Sequence, residues 1–453
     1  LKYYGFPLKD LDSRLGIAGM TLRQAQGGLE NRINHSLFST FSEHYEQLIS
    51  LPRKIRRAMQ RKWKHSLAGV ALLLALGASP AMGATTINVN SGNVADLIAA
   101  INNANSEVAP FDGEDTIILD GSTFTLTQIN NNTDGNNGLP VITSEIIIEG
   151  NGSTIQRLTN DQDEFRIFEI SNFNGSAELT LLNTIVRGGL ANAGGLFGNF
   201  GGGIFNFGGT TTITNSTISG NTATGNGGGI FNYGIATITN STISGNAATG
   251  NGGGIYNDGN FALTITNTIV ANSANGGDCQ NDGTIDDGGN NLIEDPANSC
   301  GLNNGVNGNI VGVDPILGVL QNNGGLTPTQ ALVLGSSAID TGNDTVCNTP
   351  PVNGADQRGI SRPQNGDNSG AANCDIGAFE FIDQNNNDID DCVDTDFFTD
   401  IDGDGVSDFC DVLIGDITPA PTLSQWGMIA FGFIAGIFGL GFLRRKKGLV
   451  VRD

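Results

Sequence analysis

The chain has 453 residues, among them 66 glycines, 46 acidic residues and 22 lysines and arginines, and its formal net charge is −24. Between residues 85 and 443 only five arginines stand against 40 acidic side chains, which argues against nucleic acid as a partner because phosphate binding requires clustered cations. All three histidines precede residue 66 and no lysine lies between Lys64 and Lys446, so a Ser-His-Asp centre, a His-ligated zinc and a P-loop lack their residues downstream.

The N-terminal part of the chain predicts export. Residues 1–58 have ordinary mixed composition and stay unassigned, and we expect the natural start at Met59. A basic region before residue 66, an apolar core at 67–76 and small residues at 79–84 are typical of a secretory signal peptide at 59–84. The alternative is an N-terminal membrane anchor, but the short apolar core followed by Pro80 favours cleavage.

Residues 85–144 predict an N-terminal cap with the first strands. The apolar spacing over 94–104 is helical, and the segments 115–120 and 124–127 have strand composition. A short helix over the first coil would shield the open edge of a stack of strands from unwanted pairing.

Residues 145–315 contain a repeat of about 25 residues. A Gly-Gly-Gly-Ile-aromatic-Asn phrase occurs at 201–206, 227–232 and 252–257, and each copy precedes a Thr-Ile-Thr-Asn-rich phrase. The glycine content excludes a helical repeat. Ile213 and Ile218 can both face inward only if the chain turns a corner at Asn215 or Ser216, so the repeat predicts short strands meeting at corners, as in a β-helix.

Two columns of side chains follow from stacking the repeats. Asn215, Asn240 and Asn267 share one position, and we expect their amides to hydrogen-bond along a structural ladder. A second column is aromatic and is expected to point outward, either as a platform for sugar rings or as a stabilising ladder. Its members are Phe205, Phe231 and Tyr256.

The repeat resembles the right-handed parallel β-helix repeats of bacterial surface proteins and of pectate-lyase-like enzymes. The resemblance implies the right-handed winding, and it extends to earlier coils at 179–186 and 145–152. Near those coils lies one charged cluster, which is either a solvated loop or the site of a polysaccharide lyase or glycoside hydrolase. The cluster consists of Asp161, Asp163, Glu164, Arg166 and Glu169.

Residues 316–381 predict the C-terminal closure of the coils. The phrases at 354–363 and 374–380 resemble the end of bacterial β-helix proteins of the choice-of-anchor type, which implies architecture and location but no reaction. An even number of cysteines in an exported chain predicts disulfides, and sequential pairing is the simplest of fifteen connectivities. The cysteines are Cys279, Cys300, Cys347, Cys374, Cys392 and Cys410.

Residues 382–415 predict an acidic, calcium-binding stalk. Side-chain oxygens at alternate positions, a glycine at Gly405 and a backbone carbonyl at the next residue match a calcium loop. With Cys392 and Cys410 bracketing the loops, the segment resembles a thrombospondin type-three repeat; the alternative is an acidic disordered linker. The predicted calcium ligands are Asp400, Asp402, Asp404, Val406, Asp408 and Asp411, and in a second loop Asp383, Asn385, Asn387, Asp391 and Asp394.

Residues 416–453 predict a sorting signal with a transmembrane helix. The apolar stretch 426–443 is long enough to span a membrane, and four cations at 444–447 would hold its end inside. The segment resembles the Ile-Pro-Thr-Leu C-terminal signal, which implies processing by an exosortase-type transpeptidase, although Ala420 replaces the isoleucine; the alternative is a permanent anchor. The matching residues are Pro421, Thr422, Leu423, Ser424, Gln425, Trp426 and Gly427.

Taken together, these patterns predict an all-β protein: a right-handed parallel β-helix with a small N-terminal cap, a calcium stalk and a C-terminal transmembrane helix. We expect a non-catalytic exported surface protein, an adhesin or a matrix or stalk component, with structural calcium. The expected partners are the membrane, a sorting transpeptidase and a glycan or other cell-surface ligand. The alternative function is a polysaccharide lyase or glycoside hydrolase on extracellular glycans.

Overall fold

The computed structural model describes residues 85–106, 113–159, 163–172, 177–194, 197–325, 327–366, 372–383 and 390–392. Within these ranges the chain is mostly β, with two helices, α1 (Val94–Ala104) and α2 (Asp344–Cys347). Neither of them is long and apolar enough to cross a membrane. The predicted signal peptide, sorting motif and C-terminal transmembrane helix lie outside the described residues, as do most of the predicted calcium ligands.

Parallel strands from successive coils form three sheets, and an antiparallel hairpin lies beside them in the described part of the chain. Sheet one contains β1 (Thr86–Val89), β2 (Asp115–Leu119), β4 (Glu145–Glu149), β6 (Phe168–Ser171), β7 (Glu178–Leu182), β10 (Ile204–Thr214), β13 (Ile230–Thr239), β16 (Ile255–Asn257), β17 (Ala262–Thr266), β19 (Cys279–Asn281) and β20 (Thr284–Gly289). Sheet two contains β3 (Thr123–Leu126), β5 (Thr154–Arg157), β8 (Ile185–Arg187), β11 (Thr217–Ser219), β14 (Thr242–Ser244), β18 (Ile269–Ala271), β21 (Leu292–Ile293) and β22 (Ile310–Val311). Sheet three contains β9 (Leu190–Ala191), β12 (Thr222–Ala223) and β15 (Ala247–Ala248), and the hairpin joins β23 (Leu317–Asn322) to β24 (Pro328–Leu332).

The register of the sheets confirms the repeat and the solenoid-like, all-β architecture. Ile213 pairs with Ile238, which pairs with Ile265 on the next coil. The column continues into the earlier coils through Leu181 and Ile148, as the weaker copies of the phrase predicted. All five side chains are buried in one core, because parallel strands in register place the same apolar position of every coil on the same inner face.

The predicted corner lies at Asn215. This residue has φ of 47°, between β10 and β11, and the side chains of Ile213 and Ile218 on either side are both buried. Asn240 and Asn267 adopt the same left-handed conformation, with φ of 46° and 48°. Asparagine fits here because its short polar side chain tolerates the left-handed region that a β-branched residue would resist.

The asparagine ladder forms, but not at the corner position where it was expected. A left-handed corner turns the side chain away from its equivalent on the next coil, so Asn215 donates to the carbonyl of Ala355 and Asn240 to the sulfur of Cys347. The ladder runs instead through the third residue of the strand phrase, with Nδ2 to Oδ1 distances of 2.7–2.8 Å. Its members are Asn206, Asn232, Asn257 and Asn281.

Helix α1 covers the first coil, within the residues that the apolar spacing predicted. The side chain of Asn93 accepts a hydrogen bond from the amide of Ala95 and so caps the helix N-terminus. The apolar face of the helix is buried in the same core as the coils. That face consists of Leu97, Ala100, Ile101 and Ala104.

Residues 327–366 and 372–383, here called the lateral segment, pack on the outer face of sheet two. Thr217 donates from its hydroxyl to Oε1 of Gln357 at 2.6 Å, and the amide of Ala378 donates to Oγ1 of Thr242 at 3.1 Å. Outward apolar residues of sheet two, among them Ile269, join Phe379 in a second apolar cluster. The lateral segment therefore covers the side of the solenoid along several coils.

Disulfide bonds are present, in sequential pairs. Cys279 joins Cys300 and Cys347 joins Cys374, with Cα–Cα distances of 4.9 and 6.6 Å, inside the usual range. Cys392 is also disulfide-bonded, and its predicted partner Cys410 lies outside the described residues.

Candidate binding site

The structure brings together two members of the charged cluster and buries them. Nη1 of Arg166 lies 3.7 Å from Oε2 of Glu169, and both side chains are fully buried beside sheet one. Glu164 behaves as the solvated-loop interpretation predicts, since its carboxylate accepts a hydrogen bond from the exposed Asn192. The backbone carbonyl of Asp163 accepts a hydrogen bond from Arg157, and Asp161 lies outside the described residues.

Asp134 completes this site, although the sequence did not single it out. Nη2 of Arg166 donates to the backbone carbonyls of Asp134 at 3.3 Å and Phe197 at 2.7 Å. The guanidinium also lies over the ring of Phe205, 4.5 Å from its centroid. Asp134 and Arg166 are separated in sequence by nearly the same number of residues as Glu145 and Glu178, which pair on neighbouring coils. Counting coils back from the clear repeats would therefore have placed Asp134 beside Arg166.

Burial sets the electrostatics of the site. It lowers the pKa of Arg166 to about 10 and raises the pKa of Glu169 to about 7. The charge of Arg166 and the hydrogen bond from Asn137 oppose the rise in the pKa of Glu169, whereas the charge of Asp134 adds to it. Oδ2 of Asp134 and Oε1 of Glu169 are both buried without a hydrogen-bond partner.

The titration of Glu169 predicts a measurable pH dependence of stability. The pKa of Glu169 in the folded state, about 7, exceeds the ordinary value of 4.5, so the folded state binds the proton more tightly than the unfolded state does. The stabilisation that results is lost as the pH rises through 7. We expect Glu169→Gln to reduce the gain in free energy of unfolding between pH 7.5 and pH 5 by on the order of 1–3 kcal/mol. Urea unfolding at both pH values measures this change in the free energy of unfolding, with Glu164→Gln as the control. The prediction is contradicted if the free energy of unfolding of Glu169→Gln depends on pH as strongly as that of the wild type.

A cavity opens beside these charges. It has a volume of about 340 Å³ and is lined by residues 132–136, Gly194 and Phe197, which is within the size range of small-ligand pockets. Gly135 is required where the wall meets Arg166, because a Cβ there would lie 2.5 Å from Nη2 and the residue has φ of 131°.

The aromatic column is stacked as predicted but is not exposed. Phe205, Phe231 and Tyr256 occupy one register and are buried in a cluster separate from the core, beneath Phe197 and Phe200. The expected exposure of these rings is therefore wrong, because Phe197 and Phe200 cover them, and of the two alternatives the buried column fits a stabilising ladder. A neighbouring column does reach the surface, with ring centroids 5.4 and 4.3 Å apart. It consists of Phe207, Tyr233 and Phe261.

The predicted calcium site falls mostly outside the described residues. Asp383 and Asp391 are described and buried, whereas Asn385, Asn387, Asp394 and the whole loop 400–411 are not described. Among the described residues no group of three acidic, histidine or cysteine side chains is arranged to hold a metal ion.

Buried charges join the lateral segment to the start of the predicted calcium segment. Arg358 forms ion pairs with Asp356 at 2.8 Å and Asp390 at 3.4 Å, with all three side chains buried. It also lies 3.6 Å from the ring centroid of Phe379 and donates to the carbonyl of Asn323. These contacts join the phrase at 354–363 to the start of the acidic segment.

Comparison with known proteins adds one finding. Residues 418–445 match the IPTL-CTERM motif, which covers the predicted sorting residues 421–427. No curated protein and no solved structure matches the chain. The match supports an exported, surface-sorted protein that carries a C-terminal sorting signal.

Proposed function

We propose that the chain is a non-catalytic protein of the cell surface, an adhesin or a matrix or stalk component, built on a right-handed parallel β-helix. The sorting motif at 418–445 carries this proposal, since such a signal delivers the preceding domain to the cell envelope. The solenoid supports it, because stacked coils give a long surface that is stable without a ligand.

The distribution of charge supports a non-catalytic role. No aspartate occurs from Ile185 to Tyr256, so these coils lack the paired carboxylates of glycoside hydrolysis. Arg166 and Glu169 are fully buried, and a buried pair cannot touch a polysaccharide. A lyase or hydrolase stays the alternative function, with Asp134, which lines the cavity, as a candidate carboxylate beside this pair.

The C-terminal part completes the proposal. Calcium bound at 383–394 and 400–411 would rigidify the stalk, since the loops supply the density of oxygen ligands that a hard cation needs. The apolar residues 426–443 would span the membrane until a sorting transpeptidase acts at the motif. The processed protein would then face the extracellular medium, where glycans and other cells are its available partners.

Cell fractionation tests the sorting step. With the full chain expressed in a host that has exosortase-type sorting, we expect alanines at 421–423 to leave the protein in the inner membrane. Alanines at 412–414, just upstream, serve as the matched control and should keep surface delivery. Equal surface amounts of motif variant and wild type would contradict the proposal.

Product release tests the absence of catalysis. The full chain is incubated with acidic and neutral polysaccharides, with calcium present and then chelated, and we expect no shortened products while chelation lowers the melting temperature. Turnover that is abolished by substitution of Asp134, Asp163 or Arg166 would overturn the non-catalytic proposal in favour of the enzyme.

A further inference from the structure

The cavity beside Arg166 has two walls that are fixed by one buried side chain. One wall is formed by residues 132–136 and the other by Gly194 and Phe197. Nη2 of Arg166 donates to a backbone carbonyl of each wall, those of Asp134 and Phe197. A buried guanidinium that bridges two loops keeps the opening formed without a ligand, and this preorganisation lowers the entropic cost of binding.

The lining of the cavity combines polar groups with one aromatic ring. Asn132, Thr133, Asp134 and Asn136 bring amide, hydroxyl and carboxylate side chains, and Phe197 brings a flat apolar face. Ligand sites usually pair apolar surface with a few convergent polar groups. Hydroxyl groups suit such a lining, because each can both donate and accept a hydrogen bond.

Charge narrows the ligand class further. Among the residues that the structure describes, the lining contains no cationic side chain, since Arg166 is fully buried behind the wall. An acidic saccharide would meet the carboxylate of Asp134 and the excess negative charge of residues 85–443, which carry 40 acidic residues against five arginines. A single lining carboxylate is also a poor site for a divalent cation, which takes six or more oxygen ligands.

We propose that this cavity binds a neutral saccharide of an extracellular glycan, with Asp134 and the neighbouring amides on its hydroxyl groups and Phe197 against a ring face. The proposal rests on the proposed function, which places the domain outside the cell.

The exposed aromatic column extends the site along the solenoid. The ring of Phe197 lies 4.7 Å from that of Phe207, which begins the column that continues through Tyr233 and Phe261. Tyr233 is 37% exposed. A longer chain of sugars leaving the cavity would therefore cross further rings, each one coil apart.

Isothermal titration calorimetry with the full chain in detergent tests the proposal. The neutral probes are cellohexaose, laminarihexaose and maltohexaose with their disaccharides, and the charged probe is hexagalacturonate. We expect one neutral series to bind, and Asp134→Ala and Phe197→Ala to weaken both lengths at least tenfold. Tyr233→Ala should weaken the hexasaccharide alone, and Asp286→Ala, an exposed carboxylate elsewhere on the coils, should change neither.

The results that would overturn the proposal are distinct. The first is that no neutral probe binds, and the second is that hexagalacturonate binds more tightly than the neutral probes. The third is that Asp134→Ala and Phe197→Ala bind as tightly as the wild type while their melting curves match it. Failure to bind in a chain that is still delivered to the surface would reject the saccharide site and leave the proposed function standing. Binding accompanied by hydrolysis of the same probes would keep the site and reject the non-catalytic role.

Discussion

Replacing Asn232 by alanine is expected to lower the free energy of unfolding by about 2–4 kcal/mol, because the change removes a buried acceptor from Asn206 and leaves Oδ1 of Asn257 without its donor. Asn232 is fully buried in the ladder. Its Oδ1 accepts from Asn206 at 2.8 Å, and its Nδ2 donates to Oδ1 of Asn257 at 2.7 Å. Alanine removes both contacts in the middle of the stack.

The measurement for Asn232→Ala is urea unfolding followed by circular dichroism, since β-structure dominates the described chain. Asn260→Ala is the matched control, because Asn260 is an exposed asparagine on a neighbouring loop and should change stability by less than about 0.5 kcal/mol. A loss no larger in Asn232→Ala than in Asn260→Ala would show that the ladder contributes little to stability.

Replacing Arg358 by methionine is expected to destabilise the lateral segment by about 3–5 kcal/mol. The change keeps much of the side-chain volume but leaves Asp356 and Asp390 as buried carboxylates without their counter-charge. It also removes the donor to the carbonyl of Asn323 at 2.7 Å. Because the cost falls on the lateral segment, we expect that segment to open before the coils unfold.

Hydrogen exchange distinguishes local opening from global unfolding of the Arg358→Met variant. Amides of 372–383 should exchange faster by two to three orders of magnitude, which corresponds to about 3–4 kcal/mol, while amides of 212–219 should change less. Arg187→Met, at an exposed arginine of sheet two, is the control. Uniform acceleration across both ranges would contradict a separately opening lateral segment.

The sequence predicted the features that repeat. Ile213, Ile238 and Ile265 were identified as one column because the same apolar residue recurs in the same phrase, and parallel stacking preserves that position. The corner between Ile213 and Ile218 was predicted because one residue is at an odd and the other at an even position, so both can face inward only if the chain turns between them. The helix at 94–104 followed from local apolar spacing, which does not depend on the rest of the fold.

The sequence failed where two distant segments meet. The exposure of Phe205 could not be judged from alternation, because the loop carrying Phe197 and Phe200 lies over it. The side chain of Asn215 bonds to Ala355, which is 140 residues away. Alternation along a strand assigns a side chain to a face, but only the neighbouring segments decide whether that face meets solvent.

The sequence by itself determined the repeat, the inner apolar columns, the export signal as an expectation and the C-terminal sorting motif, since each is written in contiguous residues. Tertiary structure alone decided the candidate site. Asp134, Arg166 and Phe197 come from separate coils, and only the stacking of those coils joins them around one cavity. The reason is physical: local pattern fixes backbone conformation and side-chain face, whereas burial, hydrogen-bond partners and shifted pKa values depend on which distant segments pack together.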